Sequence, residues 1–278
     1  MTTVAAGPAT GSRVALPPAR GRSGLAGAIR SELTKIRSTR STYWTLLALV
    51  IVTVGLGTLV SFGAAQHPGD VGPAFDATQR SLGGLYLSQL IIVVLGALTI
   101  TSEYSTGMIR TSLIAMPRRI VLYLAKAVTF AAVTLVVSLA TALIAFFLGQ
   151  SLLASTHQSA TLAGPDVLRA VIGSALYLTL CGLFAFGVAA IVRNTAAAIT
   201  AMIGLLFVLP VLVNWLPWGN DLVRWLPTSA ARAISATVWS AGPQNSHLFS
   251  PWAQFAVFAV CTAVLLVVGG ILFRKREA

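Results

Sequence analysis

The stretch YWTLLALVIVTVGLGTLVSF occupies residues 43–62 and contains no charged side chain. Its length decides the fold, because about 20 consecutive apolar residues in a helix cross the hydrocarbon core of a bilayer. Five further apolar runs of comparable or greater length follow it. The sequence therefore predicts an all-α integral membrane protein with six transmembrane helices, at residues 43–62, 82–101, 121–148, 167–192, 196–216 and 252–273.

The composition excludes a water-soluble globule. Of the 278 residues, 56% are hydrophobic and only 9% are charged, whereas soluble domains carry about 25% charged residues. The net charge of +12 does not indicate nucleic-acid binding, because the basic residues flank the apolar runs and leave no soluble domain to form a basic face. The solvent for most of this surface is lipid.

The basic residues also predict the orientation. If the six runs cross in alternation, 15 of the 19 lysines and arginines fall on the side of the two termini and four fall on the other side. Positive charge accumulates on the cytoplasmic side of membrane proteins. We therefore expect a multi-pass protein of the cell membrane with both the N- and C-termini in the cytoplasm.

The chain outside the spans divides into distinct segments. Residues 1–24 are rich in Ala, Gly, Pro and Arg, which predicts a disordered cytoplasmic tail, although an Arg-rich transit peptide has a similar composition. Residues 25–278 form the predicted transmembrane domain. Between spans five and six, residues 217–251 are divided by four prolines and carry several tryptophans. This pattern predicts short re-entrant or outer helices before the last span.

Residues 25–42 carry a helical stripe just before the first span. Leu25, Ile29, Leu33 and Ile36 recur at spacings of four, four and three, and most of the basic residues lie off that stripe. A basic amphipathic helix in this position is expected to lie in the membrane interface. Two interpretations remain open from the pattern alone: a passive anchor for anionic headgroups, or a lever that transmits force from a cytoplasmic partner.

The sequence lacks the groups that energise or catalyse reactions in membranes. All seven acidic residues lie outside the spans or at their ends: Glu32, Asp70, Asp76, Glu103, Asp166, Asp221 and Glu277. A carrier coupled to protons keeps such groups inside the membrane. No phosphate-binding loop of the G-x-x-x-x-G-K-[ST] type occurs, and no H-E-x-x-H or G-x-S-x-G motif occurs. We expect no catalytic, cofactor or metal site in this chain.

The connection between spans two and three is the most distinctive segment. It reads TSEYSTGMIRTSLIAMPRR over residues 101–119, followed by Lys126. Glu103 closes span two, and Ile109, Leu113 and Met116 form a short apolar stripe that Pro117 ends. The pattern predicts a short helix lying on the cytoplasmic membrane surface. An ordinary connection with topology-setting charges remains the alternative.

This connection resembles the intracellular loop of bacterial ABC-2 type permeases. The resemblance is carried by Ser102-Glu103-Tyr104, Gly107, Arg110, Pro117-Arg118-Arg119 and Lys126. The segment Ser31–Arg40 with Tyr43-Trp44 is similar to the start of the same family, as is the layout of six spans with a long outer segment before the last. The resemblance extends over residues 25–278.

The resemblance implies partners that this chain does not contain. Such permeases pair with a second permease copy, identical or different, and with separate cytoplasmic ABC ATPase subunits that bind ATP and Mg. The residues implied in ATPase coupling are Glu103, Tyr104, Gly107, Arg110, Pro117, Arg118 and Arg119. The residues implied in the connecting helix are Leu25, Ile29, Glu32, Leu33, Lys35, Ile36 and Arg37.

The resemblance also implies a function. The chain is expected to be the permease subunit of an exporter that moves a lipid-like or amphipathic substrate, without an ATPase site of its own. Substrate contacts are expected from the apolar segments Leu90–Leu98 and Ala201–Leu209 of spans two and five. By analogy, Glu103 braces the loop against the connecting helix or the ATPase. The alternative function is a non-transporting scaffold, or an accessory or sensory subunit.

Overall fold

The computed structural model describes residues 24–67, 75–105, 107–108, 118–156, 159–216, 219–238 and 249–275. Within these ranges the chain is all-helical. The helices are α1 Leu25–Ser38, α2 Arg40–Gln66, α3 Ala77–Ser81, α4 Leu85–Ser105, α5 Arg119–Leu153, α6 Val167–Val192, α7 Thr195–Ile203, α8 Leu209–Asn214, α9 Gly219–Val223, α10 Pro227–Ser235 and α11 Pro251–Lys275.

The prediction of six transmembrane helices is confirmed. α2, α4, α5, α6, the segment Thr195–Asn214 and α11 are each long and apolar enough to cross a membrane. α5 is the longest, at 35 residues. A helix of that length spans about 50 Å, which exceeds the hydrocarbon thickness of about 30 Å, so it extends past the bilayer or tilts within it.

α6 lies at the centre of the bundle and packs against α4, α5 and α11. It is the most buried of the six spans. Small residues permit the closest of these contacts: a Cβ added to Gly96 of α4 would overlap the carbonyl oxygen of Gly182 in α6. Helices in membranes associate through such small-residue surfaces, because lipid supplies no hydrophobic driving force between them.

Span five, predicted at residues 196–216, is present as the segment Thr195–Asn214, which is not α-helical throughout. Its α-helical parts α7 and α8 are joined by a π-helical turn over Gly204–Val208, in which the Leu209 N–H donates to the Gly204 carbonyl. Pro210 explains the change of geometry, because it has no N–H to offer the Leu206 carbonyl one turn earlier. The predicted span is therefore present, and its π-helical turn is a feature that the sequence analysis did not address.

The predicted short helices before the last span are present as α9 and α10. α10 is buried against α6 and α11. Asp76, the N-cap of α3, holds the chain after α10 by accepting hydrogen bonds from the Thr237 and Val238 N–H groups and the Thr237 hydroxyl. We call this side of the bundle the α3 end and the opposite side, where α1 lies, the α1 end.

Three sequence predictions fall outside the described residues. They concern the tail at residues 1–24, of which only Gly24 is described, the apolar stripe of residues 109–116, and the coupling residues Arg110 and Pro117.

Candidate functional site

α1 packs on the bundle through a face that differs from its apolar stripe. Ala28 and Glu32 are its buried residues, whereas Leu25 at the start of the stripe is exposed. Ile29, Leu33 and Ile36 are only partly buried. A glutamate therefore faces the protein, and the apolar stripe is left partly open to lipid. Glu32 can be buried on this face because α5 supplies a buried cation beside it.

Lys126 is the centre of this contact. It lies seven residues after Arg119 in α5, about 10 Å along the helix, and is only 2% exposed. Its Nζ donates to Glu32 Oε2 at 2.9 Å and to Glu103 Oε1 at 2.5 Å. One lysine of span three thus joins the connecting helix to the end of span two.

Lys35 completes the arrangement from the solvent side. It lies one turn after Glu32 on α1, and its Nζ is 2.9 Å from both Glu32 Oε1 and Glu103 Oε1. We call Glu32, Lys35, Glu103 and Lys126 the four-charge cluster. Its two positive and two negative charges balance, which is the condition under which ionised groups are tolerated away from water.

The electrostatics favour the ionised forms. Burial lowers the pKa of Lys35, but the hydrogen bonds and charges of Glu103 and Glu32 outweigh it and raise the pKa above its ordinary value. The contribution of Lys35 is therefore present throughout the physiological range and is lost only under strongly alkaline conditions, as the pH rises through that pKa. Among the described residues, Glu103 Oε2 has no hydrogen-bond partner. This oxygen can therefore accept a further hydrogen bond.

Aromatic contacts join the remaining helix ends to the cluster. Tyr104 follows Glu103, and the Arg193 guanidinium lies over its ring at 5.0 Å. The Tyr104 ring also meets Phe273 of α11 edge-on at 6.5 Å. Tyr123 of α5 packs against Phe273 at 5.6 Å. The ends of spans two, three, four and six therefore meet beside α1.

Span five joins the same end through hydroxyl groups. The Thr195 hydroxyl at the start of α7 donates to the Thr101 hydroxyl of α4 at 2.8 Å. Asn194 precedes it and caps α7 by accepting from the Ala197 N–H. Arg193 before the cap adopts a left-handed conformation, with φ of 57°, so the chain turns sharply between spans four and five.

The other predicted site residues lie around the cluster without entering it. Gly107 adopts a φ of +69° just after α4, a value that glycine adopts without strain. Arg118 is exposed at the N-cap of α5. Arg118, Arg119 and Arg274 line a shared cleft of about 400 Å³. Arg37 is exposed on α1.

Sequence reasoning did not assign a site role to two of these residues. Lys126 was named only as a topology-setting charge and as part of the family resemblance, and Arg193 only as the charge of a short connection. The missed signal for Lys126 is its position, because it lies inside the predicted span of residues 121–148, and a lysine within a span needs a partner. Glu32 and Glu103 were available partners on the same side of the membrane.

The two segments predicted to contact substrate meet within the bundle. Ile92 and Val93 of α4 and Met202 and Leu206 of span five belong to one buried apolar cluster. The opposite face of span five is exposed at positions Ala201, Ile203, Val208 and Leu209. In residues 90–98 five of the nine residues are buried and the other four are partly buried, whereas in residues 201–209 only two of nine are buried. The exposed face of span five remains accessible to lipid or to another protein.

Six spans joined by these buried contacts define a multi-pass membrane protein. The family model for ABC-2 family transporter proteins matches residues 82–278, more than half of the chain, and the chain belongs to that family. The predicted resemblance is thereby confirmed over residues 82–278, and its extension to residues 25–81 stays a prediction. The match begins after α1 and α2, so the four-charge cluster joins a segment inside the matched region to one outside it. No curated protein matches the chain.

Family membership fixes the general role. The chain is a permease subunit of an ABC transporter, and such subunits are generally without an ATPase site of their own. Membership also implies partnership with an ABC ATPase and dimerisation.

Proposed function

We propose that this chain is the permease subunit of an exporter in the cell membrane and that the four-charge cluster transmits force from a separate ATPase to the spans. The observation that carries this proposal is the Lys126 ion pair with both Glu32 and Glu103. It joins α1 to the ends of spans two and three through charges whose separation has a large free-energy cost.

The energy of the cluster favours a lever over a passive anchor as the role of α1. Removing one partner of a buried ion pair costs about 3–5 kcal/mol, because it leaves an uncompensated charge. An anchor that only floats in the interface needs no such connection. With the cluster intact, displacement of α1 carries the ends of α4 and α5 with it.

The residues after α4 provide the second point of contact. Glu103 ends the buried part of α4, and Gly107 and Met108 are exposed immediately beyond it. An ATPase surface that engages this loop would act on the same carboxylate that holds α1. The ATP and Mg that drive the movement bind to that partner subunit, which hydrolyses the nucleotide.

The interiors of the spans support an apolar or amphipathic cargo. Residues 44–66, 85–102, 127–153, 170–192, 195–214 and 251–273 contain no Asp, Glu, Lys or Arg. A pathway built from these surfaces solvates apolar groups and offers no counter-charge to an ion. A lipid-like substrate therefore fits, and a second permease copy placed against the exposed face of span five would complete the pathway.

The orientation follows the charge distribution. Arg37, Arg40, Arg118 and Arg274 are exposed at the α1 end, which corresponds to a cytoplasmic location. Both termini and the four-charge cluster are then on the side where ATP is available.

Co-purification tests the proposal. The full-length chain is expressed with its cognate ATPase, and the expected result is a detergent-stable complex whose ATP hydrolysis drives export from reconstituted vesicles. Export by the chain alone, or a folded chain that never retains an ATPase, would contradict the proposal. The second result would instead support a scaffold.

A further inference from the structure

An apolar crevice opens on the lipid side of the bundle between α1, α2 and α5. Its volume is about 410 Å³, which lies within the range of about 300–1,000 Å³ for ligand sites. The lining consists mainly of apolar side chains, among them Leu33, Ile36, Tyr43, Leu46, Val133 and Val137. The partly open stripe of α1 therefore faces this crevice.

The crevice continues inward toward α4. A narrower space shares Ile36, Thr42 and Val133 with it and ends against Thr99 and Phe130. This inner space has a volume of only about 30 Å³, so the body of a ligand would lie in the outer crevice.

Its depth corresponds to the membrane interface. Tyr43 lines the mouth of the crevice, and the neighbouring Trp44 is 70% exposed. Tyr and Trp side chains are enriched at the headgroup level of the membrane. The body of the crevice, at Val133 and Val137, lies on the membrane-spanning part of α5. An apolar space of this kind does not hold ordered water well, whereas the surrounding bilayer supplies hydrocarbon chains.

A cation stands at the rim of this apolar space. Arg37 lines the crevice next to Leu33 and Ile36, and its side chain is exposed. Guanidinium groups bind phosphate through paired hydrogen bonds. A phosphate at headgroup level and an acyl chain below it match the two parts of the site.

We propose that this crevice binds a membrane phospholipid from the leaflet at the α1 end, with its phosphate on Arg37 and one acyl chain against Val133 and Val137. The bound lipid packs between α1 and α5, the same two helices that Glu32 and Lys126 join. It therefore braces the connecting helix from the lipid side. This site does not depend on the chain's acting as an exporter.

Photochemical labelling tests the site. The full-length chain is placed in phosphatidylcholine nanodiscs that contain a trace of phosphatidylglycerol with a diazirine in its acyl chain. The expected result is labelling concentrated on residues 132–137. Val133→Trp fills the crevice and should reduce that labelling several-fold. The matched control is Ile144→Trp, which enlarges an exposed residue of α5 outside the crevice and should leave the labelling unchanged.

A second pair of variants tests the headgroup contact without altering the packing. Arg37→Gln should reduce labelling of the crevice by about threefold, the size expected of an exposed ion pair, whereas Arg40→Gln should not. Labelling spread evenly over all lipid-exposed residues, or equal effects of Val133→Trp and Ile144→Trp, would overturn the site. Equal effects of the two arginine variants would overturn the role of Arg37. Loss of ATPase binding would bear only on the proposed function.

Discussion

Lys126 and Glu103 form an ion pair with an N···O distance of 2.5 Å, although they belong to different spans. Both side chains are almost completely buried. The connection between spans two and three lies between these two residues in the chain, so the pair joins the two spans at the base of that connection. Glu32 binds the same lysine, so the two spans are also joined to α1.

Removal of the central lysine should cost far more stability than removal of its neighbour. Lys126→Met leaves two buried carboxylates with one cation between them, and we expect a loss of about 3–5 kcal/mol. Lys35→Met removes a cation whose side chain is 37% exposed, and we expect a loss of about 0–1 kcal/mol. Thermal unfolding of the two purified variants in the same detergent measures the difference.

Equal unfolding temperatures for these two variants would contradict the central position of Lys126. Lys126→Arg is a useful additional variant, because it keeps the positive charge but replaces the ammonium group with a larger, planar guanidinium group. Partial recovery of stability in that variant would show that charge and not packing volume dominates.

Charge reversal at Glu103 should uncouple the transporter. In Glu103→Lys, three cations surround the single carboxylate of Glu32, so α1 should separate from α4. We expect ATP hydrolysis by the complex to continue while export per ATP falls by about tenfold or more, which corresponds to the loss of at least about 1.4 kcal/mol of coupling.

The matched control is Asp221→Lys, which makes the same charge change at an exposed position of α9. Export in this control should remain at the wild-type level. Unchanged export in Glu103→Lys would remove Glu103 from the coupling pathway, whatever its effect on stability.

The sequence predicted the spans because their signal is local. A run such as residues 43–62 carries its own length and hydropathy, and the structure places a helix over each of the six predicted runs. α10 was also foreseen, as one of the short helices between the prolines, although its burial against α6 was not. Neither conclusion required knowledge of which helices are neighbours.

The four-charge cluster required that knowledge. Glu32 and Lys126 are 94 positions apart, and periodicity along one helix says nothing about a contact with another. The α1 stripe predicted a helix in the membrane interface, and the stripe is partly open to lipid, but the stripe did not indicate that Ala28 and Glu32 face the bundle. The cluster can be inferred from the sequence only if Lys126 is first taken to be buried, because a buried lysine needs a carboxylate partner.

Helix packing at the centre of the bundle should depend on Gly96. A Cβ at this position would overlap the Gly182 carbonyl oxygen, so Gly96→Ala should force α4 and α6 apart and cost about 1–3 kcal/mol. At Gly55 in α2, an added Cβ meets no atom within 4 Å. Gly55→Ala should therefore leave the stability unchanged or slightly improved. Detergent unfolding curves compare the pair, and similar losses would contradict the close contact.

The carboxylate of Asp76 should hold the α3 end together. It accepts from two backbone N–H groups and a hydroxyl of residues 237–238, so Asp76→Asn should cost about 1.5–3 kcal/mol. Hydrogen exchange at Thr237 and Val238 should accelerate in that variant. Asp166→Asn is the control, because that side chain is 54% exposed and only pairs with Arg169. No change in exchange for Asp76→Asn would show that the amide protons are protected by other means.

Labelling from the two sides of the membrane should place the four-charge cluster in the cytoplasm. Met108 is exposed just beyond α4, whereas Trp225 is exposed near α9 at the opposite end of the bundle. In a background with Cys181 and Cys261 replaced, Met108→Cys should react with a membrane-impermeant maleimide only after cells are opened, and Trp225→Cys should react in intact cells. The reverse pattern would put the cluster outside the cell, where no ATPase could act on it, and the proposed coupling would fail even if every contact within the bundle were correct.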